Sequence, residues 1–354
     1  QLAEAILLPK GQKILCTKMA GSYAAVLFSA LYQRNDLNGL NHVIILEDAE
    51  EAAYFHNDLE QLIHPIDLFY FPSSFKTNKN FRIQSSSHVM LRTEALTRLA
   101  GGGNRKIIVT YPEALMEKVS TAESLSTNII SIKVNDRLDT DHVMEKLVGY
   151  GFERADFVYE PGQFAMRGGI FDIYSFGNEK PYRVELFGQD VDSIRIFDPE
   201  TQLSERKLLQ VNIIPNADAA YEGGEKIDLF SLIPENTIIY TSHWQLFMDR
   251  YRDHEENLNL YLGQAHQPTD TKDTDEKHAE PDPEGFTPFE RMELAMEKRT
   301  TVEMAATATI PSPGIVFTFD IAPQPSFNRQ FELLIKDLKA HEAAKKQLYI
   351  FAEN

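Results

Sequence analysis

The loop Cys16-Thr17-Lys18-Met19-Ala20-Gly21-Ser22-Tyr23 directly follows a short apolar run, Lys13–Thr17, the place where a phosphate-binding loop would sit. A working loop reads G-x-x-x-x-G-K-[ST]. Its backbone amides cradle phosphates, its lysine reaches the β and γ oxygens, and its hydroxyl ligates magnesium. Here Gly21 is retained, but Cys16 stands for the first glycine, Ser22 for the lysine and Tyr23 for the hydroxyl residue. Lys18 lies inside the loop, beside Met19, and not at the start of the following helix. With every chemical member missing, the pattern predicts a degenerate loop without nucleotide chemistry. His254-Glu255-Glu256-Asn257-Leu258 lacks the second histidine of a zinc-protease motif and predicts no metal site. The acidic run Glu47-Asp48-Ala49-Glu50-Glu51 reads as a helix N-terminus, where acids suit the macrodipole.

A different chemistry, recognition of a partner, is suggested by Tyr159–Gln202. Its period-2 runs and turn residues predict three antiparallel strands. Gln163–Met166 leads into Gly168–Phe176, Tyr182–Phe187 returns, and Val191–Phe197 closes, with turns at Gly177–Pro181 and Gly188–Asp190. Alternation places Tyr182, Val184 and Leu186 on one face and Arg183, Glu185 and Phe187 on the other. An aromatic on the polar face, two pleats from an arginine, combines residue types enriched in interface hot spots. The competing reading folds Phe187 under a loop and pairs the arginines with Glu185 or Asp190. Gly168-Gly169 inside a strand predicts a bulge or a close backbone approach.

Strands alternating with helices on either side of this stretch argue for a parallel sheet covered on both faces. Strand-like runs occur at Lys13–Thr17, His42–Glu47, Ile66–Phe71, Lys106–Tyr111, Thr237–Ser242 and Gly314–Asp320, and a final one at Leu348–Glu353. Helical patterns cover Ser22–Gln33, Asp48–Ile63, Ser85–Leu99, His243–Leu260, Phe286–Glu297 and Asn328–Lys345. The expected fold is therefore α/β. One parallel-sheet domain, formed by residues 1–128 and 217–354, is interrupted by an inserted α+β domain at 129–216. Gln264–Pro283, polar and acidic, reads as a long mobile loop.

Composition narrows the function classes. A hydrophobic share of 43% beside 25% charged residues excludes wholesale disorder. The excess of 53 acidic over 35 basic residues, a net charge of −18, works against strong DNA binding, which needs cations on phosphates. The single cysteine, Cys16, excludes internal disulfides and a cysteine-based zinc site. No run reaches the length of a membrane span, and a cytoplasmic location is expected. The chain begins at glutamine and stops just after a strand-like run, so it is expected to be part of something longer.

The stretch PGQFAMRGGIFDIY followed by PYRVELFGQDVDSIRIFDPETQ resembles the second domain shared by the excision-repair protein UvrB and the transcription-repair coupling factor Mfd. With Ser22 and Tyr23 in place of the P-loop lysine and hydroxyl residue, the chain is similar to the Mfd branch, since UvrB keeps a working loop. The resemblance implies a degenerate UvrB-like domain around an inserted docking domain for UvrA, the damage-sensing ATPase of nucleotide excision repair. It places the contacts on Arg167, Arg183 and Phe187. Arg195, on the neighbouring strand, is a fourth candidate, or else the partner of Asp190 or Glu185. It implies no cofactor here, with ATP and magnesium used by motor domains elsewhere in the family's full-length proteins, which also engage RNA polymerase and DNA. Two alternatives stay open: a UvrB-like helicase domain that still hydrolyses nucleotide, and a structural scaffold with Phe187 buried.

Overall fold

A computed structural model describes residues 1–8, 11–63, 68–77, 80–216, 225–265, 283–319, 321 and 325–348. The first third supplies strands β1 (Lys13–Thr17), β2 (Asn41–Ile45), β3 (Leu68–Tyr70) and β4 (Ile107–Thr110). Helices α1 (Tyr23–Tyr32), α2 (Ala49–Leu62) and α3 (Ser86–Ala100) lie between them. The middle supplies β5 (Ile130–Lys133), helix α4 (Thr140–Gly149), β6 (Glu153–Arg154), β7 (Gln163–Arg167), β8 (Ile170–Ile173), β9 (Tyr182–Phe187), β10 (Asp190–Phe197), β11 (Ser204–Leu208) and β12 (Gln210–Ile213). The chain returns through β13 (Thr237–Thr241), α5 (Trp244–Ala265), α6 (Phe289–Glu297), β14 (Thr301–Met304), β15 (Ile315–Thr318) and α7 (Phe331–Ala343).

Strands from both ends of the chain build one seven-stranded sheet in the order β15-β1-β14-β13-β2-β4-β3, parallel throughout. Every residue of β2, β4, β13 and β14 is buried, the mark of strands covered on both faces. Asp48 accepts a hydrogen bond from the Glu51 amide at 3.0 Å, so the acidic run does open α2.

The interior strand β14 has no counterpart among the runs read from the sequence, because Glu303 interrupts its apolar pattern. That carboxylate is fully buried. It accepts from the amides of Trp244 (2.9 Å), Thr309 (2.9 Å) and Ile310 (3.0 Å) and from the Thr309 hydroxyl, tying the strand end to the start of α5. Of the run at Gln264–Pro283, residues 266–282 lie outside the described residues, as do 349–354 of the final strand-like run.

The middle stretch forms a second, six-stranded sheet in the order β11-β10-β9-β8-β7-β6. It is mixed, since β6 pairs parallel to β7 and the other pairings are antiparallel. One face is a core: Phe164, Phe171, Ile173, Tyr182, Val184 and Ile194 pack under α4 and the β5–β12 ribbon. Val89 of α3 joins this core and links the two sheets physically.

Where three strands were expected in Tyr159–Gln202, there are four. Gly168-Gly169 is the two-residue turn between β7 and β8, with Arg167 paired to Ile170. Gly168 has φ +60°, and a Cβ on Gly169 would stand 2.7 Å from the Leu186 carbonyl oxygen. The glycines thus serve both a tight turn and a close backbone approach.

Candidate protein-docking site

The second face of the six-stranded sheet faces away from α4. Across it, the register sets Ala165, Asp172, Arg183, Arg195 and Lys207 in one row, so Asp172 stands directly opposite Arg183. Arg167, two residues along β7 from Ala165, lies diagonal to Asp172, within reach of a long side chain.

Asp172 is the hub of the face. Its side chain has 0% exposure. Oδ1 accepts from Arg183 Nε at 2.8 Å, and Oδ2 accepts from Arg183 Nη2 at 2.9 Å and from Arg167 Nη2 at 2.5 Å. A buried carboxylate is costly unless paired and hydrogen-bonded, and two guanidinium groups meet that requirement. The bonds to Asp172 in turn raise the Arg183 pKa above its ordinary value.

Each of these guanidinium groups also rests on an aromatic ring. Arg183 lies 4.4 Å over Phe197 and donates from Nη1 to the Gln202 carbonyl at 3.1 Å. The Phe-Asp-Pro-Glu-Thr-Gln loop is bolted to the sheet in this way, with Gln202 at φ +60° donating to the carbonyls of Val158 and Pro199. Arg167 lies 4.3 Å over the half-exposed Phe157 and donates to the Asp156 carbonyl at 3.1 Å. Beyond the hub, Glu185 accepts from Ser193 Oγ at 2.6 Å and from Arg195 Nη2 at 3.4 Å.

All four residues singled out from the sequence lie on this face, in different states. Phe187 is 84% exposed, at the tip of the β9–β10 hairpin opposite Asp190. It does not fold under a loop. Arg167 is partly open, its side chain 31% exposed. Arg183 is largely enclosed, at 14%. Arg195 pairs with Glu185, as one reading of the sequence had it. Asp172, Phe157 and Gln202 were not legible. Running one strand to Phe176 would set Arg183 opposite Ser175, whereas Ser175 leaves the sheet to bond Ile214 through its hydroxyl.

The loop after β1 is arranged otherwise. The amides of Lys18 and Met19 donate to the carbonyls of Ala306 and Ala305, each at 3.2 Å. Two donors that a phosphate loop would turn toward its ligand are therefore already used. Cys16 is buried, and burial pushes its thiol up to about 12. Gly21, Ser22 and Met19 line a cavity of about 370 Å³ whose charged groups are Glu51 and Asp58, with neither lysine nor arginine among its lining residues. Burial, then the neighbouring Glu47 and Asp48, raises the Glu51 carboxyl pKa. Tyr23 starts α1 and packs against Phe319, ring centres 5.7 Å apart. His254 is buried in α5, which pushes its pKa down to about 4. Among the described residues, no cluster of three or more His, Cys, Asp or Glu could hold a metal ion, and no helix is long and apolar enough to cross a membrane.

Comparison with known proteins places this face in a class. Residues 130–218, which include β5 to β12, match the family model of the UvrB interaction domain. Over about three fifths of its length the chain is similar to transcription-repair-coupling factors. It is 30% identical to that of Bacillus subtilis (strain 168) over 214 residues, 60% of this chain and 18% of the relative. With that of Staphylococcus haemolyticus (strain JCSC1435) it shares 31% over 208 residues, 58% of this chain and 17% of the relative. With that of Staphylococcus aureus (strain bovine RF122 / ET3-1) it shares 30% over 204 residues, again 58% and 17%. The chain thus spans less than a fifth of the length of these relatives. The resemblance read from Tyr159–Gln202 is borne out.

Proposed function

We propose that this chain is a protein-docking module whose six-stranded sheet binds UvrA. Within a longer transcription-repair coupling factor, it would bring that repair ATPase to stalled RNA polymerase. The observation that carries the reading is the bare Phe187 ring, 84% exposed beside a cationic face, inside the stretch that matches the UvrB interaction domain. An exposed phenylalanine on the same strand face as an arginine two pleats away combines residue types enriched at interface centres. The face carries four cationic side chains, Arg167, Arg183, Arg195 and Lys207, against three carboxylates, Asp172, Glu185 and Asp190. In a chain of net charge −18, this local surplus suits a partner surface with acidic or carbonyl groups around an apolar pocket.

The parallel sheet serves in this reading as a scaffold without hydrolytic chemistry. The Lys18 and Met19 amides are occupied and the adjoining cavity is acidic, both of which work against a bound triphosphate. ATP and magnesium would act in other parts of the longer protein, and so would contacts to DNA and RNA polymerase.

The test is binding of the chain to purified UvrA, wild type against Phe187→Ala. Loss of a central anchor worth about 2 kcal/mol weakens binding roughly thirtyfold. Equal affinity of a folded Phe187→Ala variant would remove this face from the docking site.

A further inference from the structure

We infer that Asp172 is a positioning residue for docking: it holds the Arg167 guanidinium in the orientation that meets the partner. The inference rests on the docking reading above and adds to it a residue that does not itself reach the surface. The side chain of Asp172 is fully enclosed, whereas that of Arg167 is 31% exposed.

The geometry gives Arg167 little freedom. One plane of its guanidinium lies on Phe157 at 4.3 Å, Nη1 donates to the Asp156 carbonyl, and Nη2 donates to Asp172. A guanidinium carries five N–H donors, so the remaining ones can turn toward a partner's acceptor. An arginine held this way loses less side-chain entropy on binding than a free one, which is how preorganisation raises affinity. Arg183 differs in kind. It spends Nε and both terminal nitrogens on Asp172 and the Gln202 carbonyl, and only 14% of its side chain is exposed. It fixes the carboxylate, and the carboxylate fixes Arg167.

The chemistry of Asp172 is specific. Both oxygens act as acceptors, with Oδ2 shared between Arg167 and Arg183. An asparagine has the same shape but presents an NH2 at one of those positions, which turns one acceptor into a donor facing a donor. The fork to Arg183 or the bond to Arg167 must then open.

The experiment is a double-mutant cycle on affinity for purified UvrA, with the whole chain carrying Asp172→Asn, Arg167→Ala, Phe187→Ala and their pairs. Asp172→Asn should weaken binding by about tenfold. Adding Arg167→Ala to it should cost little more, because the charge-assisted bond that holds Arg167 is already lost with the carboxylate charge, whereas adding Phe187→Ala should cost its full single-mutant factor. Coupling confined to Arg167 is what a general loss of structure would not produce. Wild-type affinity in a folded Asp172→Asn, or full additivity with Arg167→Ala, overturns the inference and leaves the docking reading standing. Absence of wild-type binding, or no effect of Phe187→Ala, overturns both. If Asp172→Asn does not fold, Asp172→Glu takes its place in the cycle, keeping the charge while moving the oxygens. Nitrogen-15 spectra of the wild-type chain provide a readout without any variant. Distinct Nη signals for Arg167 are expected from a held guanidinium, and a single averaged signal would overturn the inference.

Discussion

Arg183 and Phe187 share one face of β9, yet their energetics are opposite. Arg183 closes a buried pair with Asp172 and anchors the loop through the Gln202 carbonyl. Removing Arg183 leaves the buried Asp172 carboxylate with Arg167 alone and one oxygen without a donor, a loss of up to about 3–5 kcal/mol. Arg183→Ala should therefore lower the urea midpoint of the middle sheet substantially. Phe187→Ala removes a ring already in solvent and should stay within about 0.5 kcal/mol of wild type. Urea titrations of both variants check this, and equal stability of the two would contradict the enclosed state of Arg183. A docking defect in Arg183→Ala reports the integrity of the face, whereas one in Phe187→Ala reports contact.

At the scale of elements, two close approaches determine how strands meet. Gly169 offers its carbonyl to the Leu186 amide at 2.7 Å, and that proximity leaves no room for a side chain. In the parallel sheet, Glu303 near the end of the interior strand β14 collects the amides of Trp244, Thr309 and Ile310. Truncation to alanine would leave two buried N–H groups, of Trp244 and Ile310, and the half-buried one of Thr309 without this acceptor, each buried one costing about 1–3 kcal/mol. Glu303→Ala should therefore destabilise the fold by about 3 kcal/mol or more, and by clearly more than Glu303→Gln, which keeps one carbonyl acceptor. Thermal unfolding followed by circular dichroism tests the order. A Glu303→Ala variant as stable as Glu303→Gln would mean those amides find other partners.

For the whole molecule, acid is the expected weakness. His42, buried in β2 against Tyr240 and Phe28, has its pKa pushed down to about 3 by burial and then by Arg105, and burial holds His254 near 4. Both resist protonation when folded but accept a proton near pH 6.5 once unfolded. Their contribution is thus complete above pH 6.5 and is lost as pH falls from 6.5 toward their folded values. Each tenfold loss of proton affinity on folding corresponds to about 1.4 kcal/mol, so His42 alone accounts for on the order of 5 kcal/mol. Stability should fall between pH 6.5 and 4, and His42→Gln should flatten that slope. An unchanged slope would place the acid sensitivity elsewhere. The proposed scaffold role of the parallel sheet makes a second prediction at this scale: magnesium-ATP should leave the unfolding temperature unchanged. A ligand at about a hundred times its Kd would add about 2.7 kcal/mol, a rise of some degrees that calorimetry would register. Such a rise would restore nucleotide binding to this sheet.

Much of this protein was determined by local sequence. Alternation alone set Arg183 and Phe187 on the polar face of β9, because strand geometry turns successive side chains to opposite sides whatever the partner strand. The continuous apolar runs of β1, β2, β4 and β13 were legible because strands covered on both faces need no alternation, and Ser22 and Tyr23 showed directly that the P-loop lysine and Ser/Thr are absent. Only the tertiary structure decided the rest. Asp172 meets Arg183 through a register that depends on where β8 ends, and the sequence between Ile173 and Tyr182 is compatible with more than one pairing. The slip between Glu185 and Leu186 sets Phe187 opposite Asp190 at the hairpin tip. The charge of Glu303 hid β14, because its acceptors are matched by amides from three other positions in the chain. Short-range period belongs to each strand by itself, whereas register, burial of charge and the sharing of one carboxylate by two arginines arise only when distant segments pack.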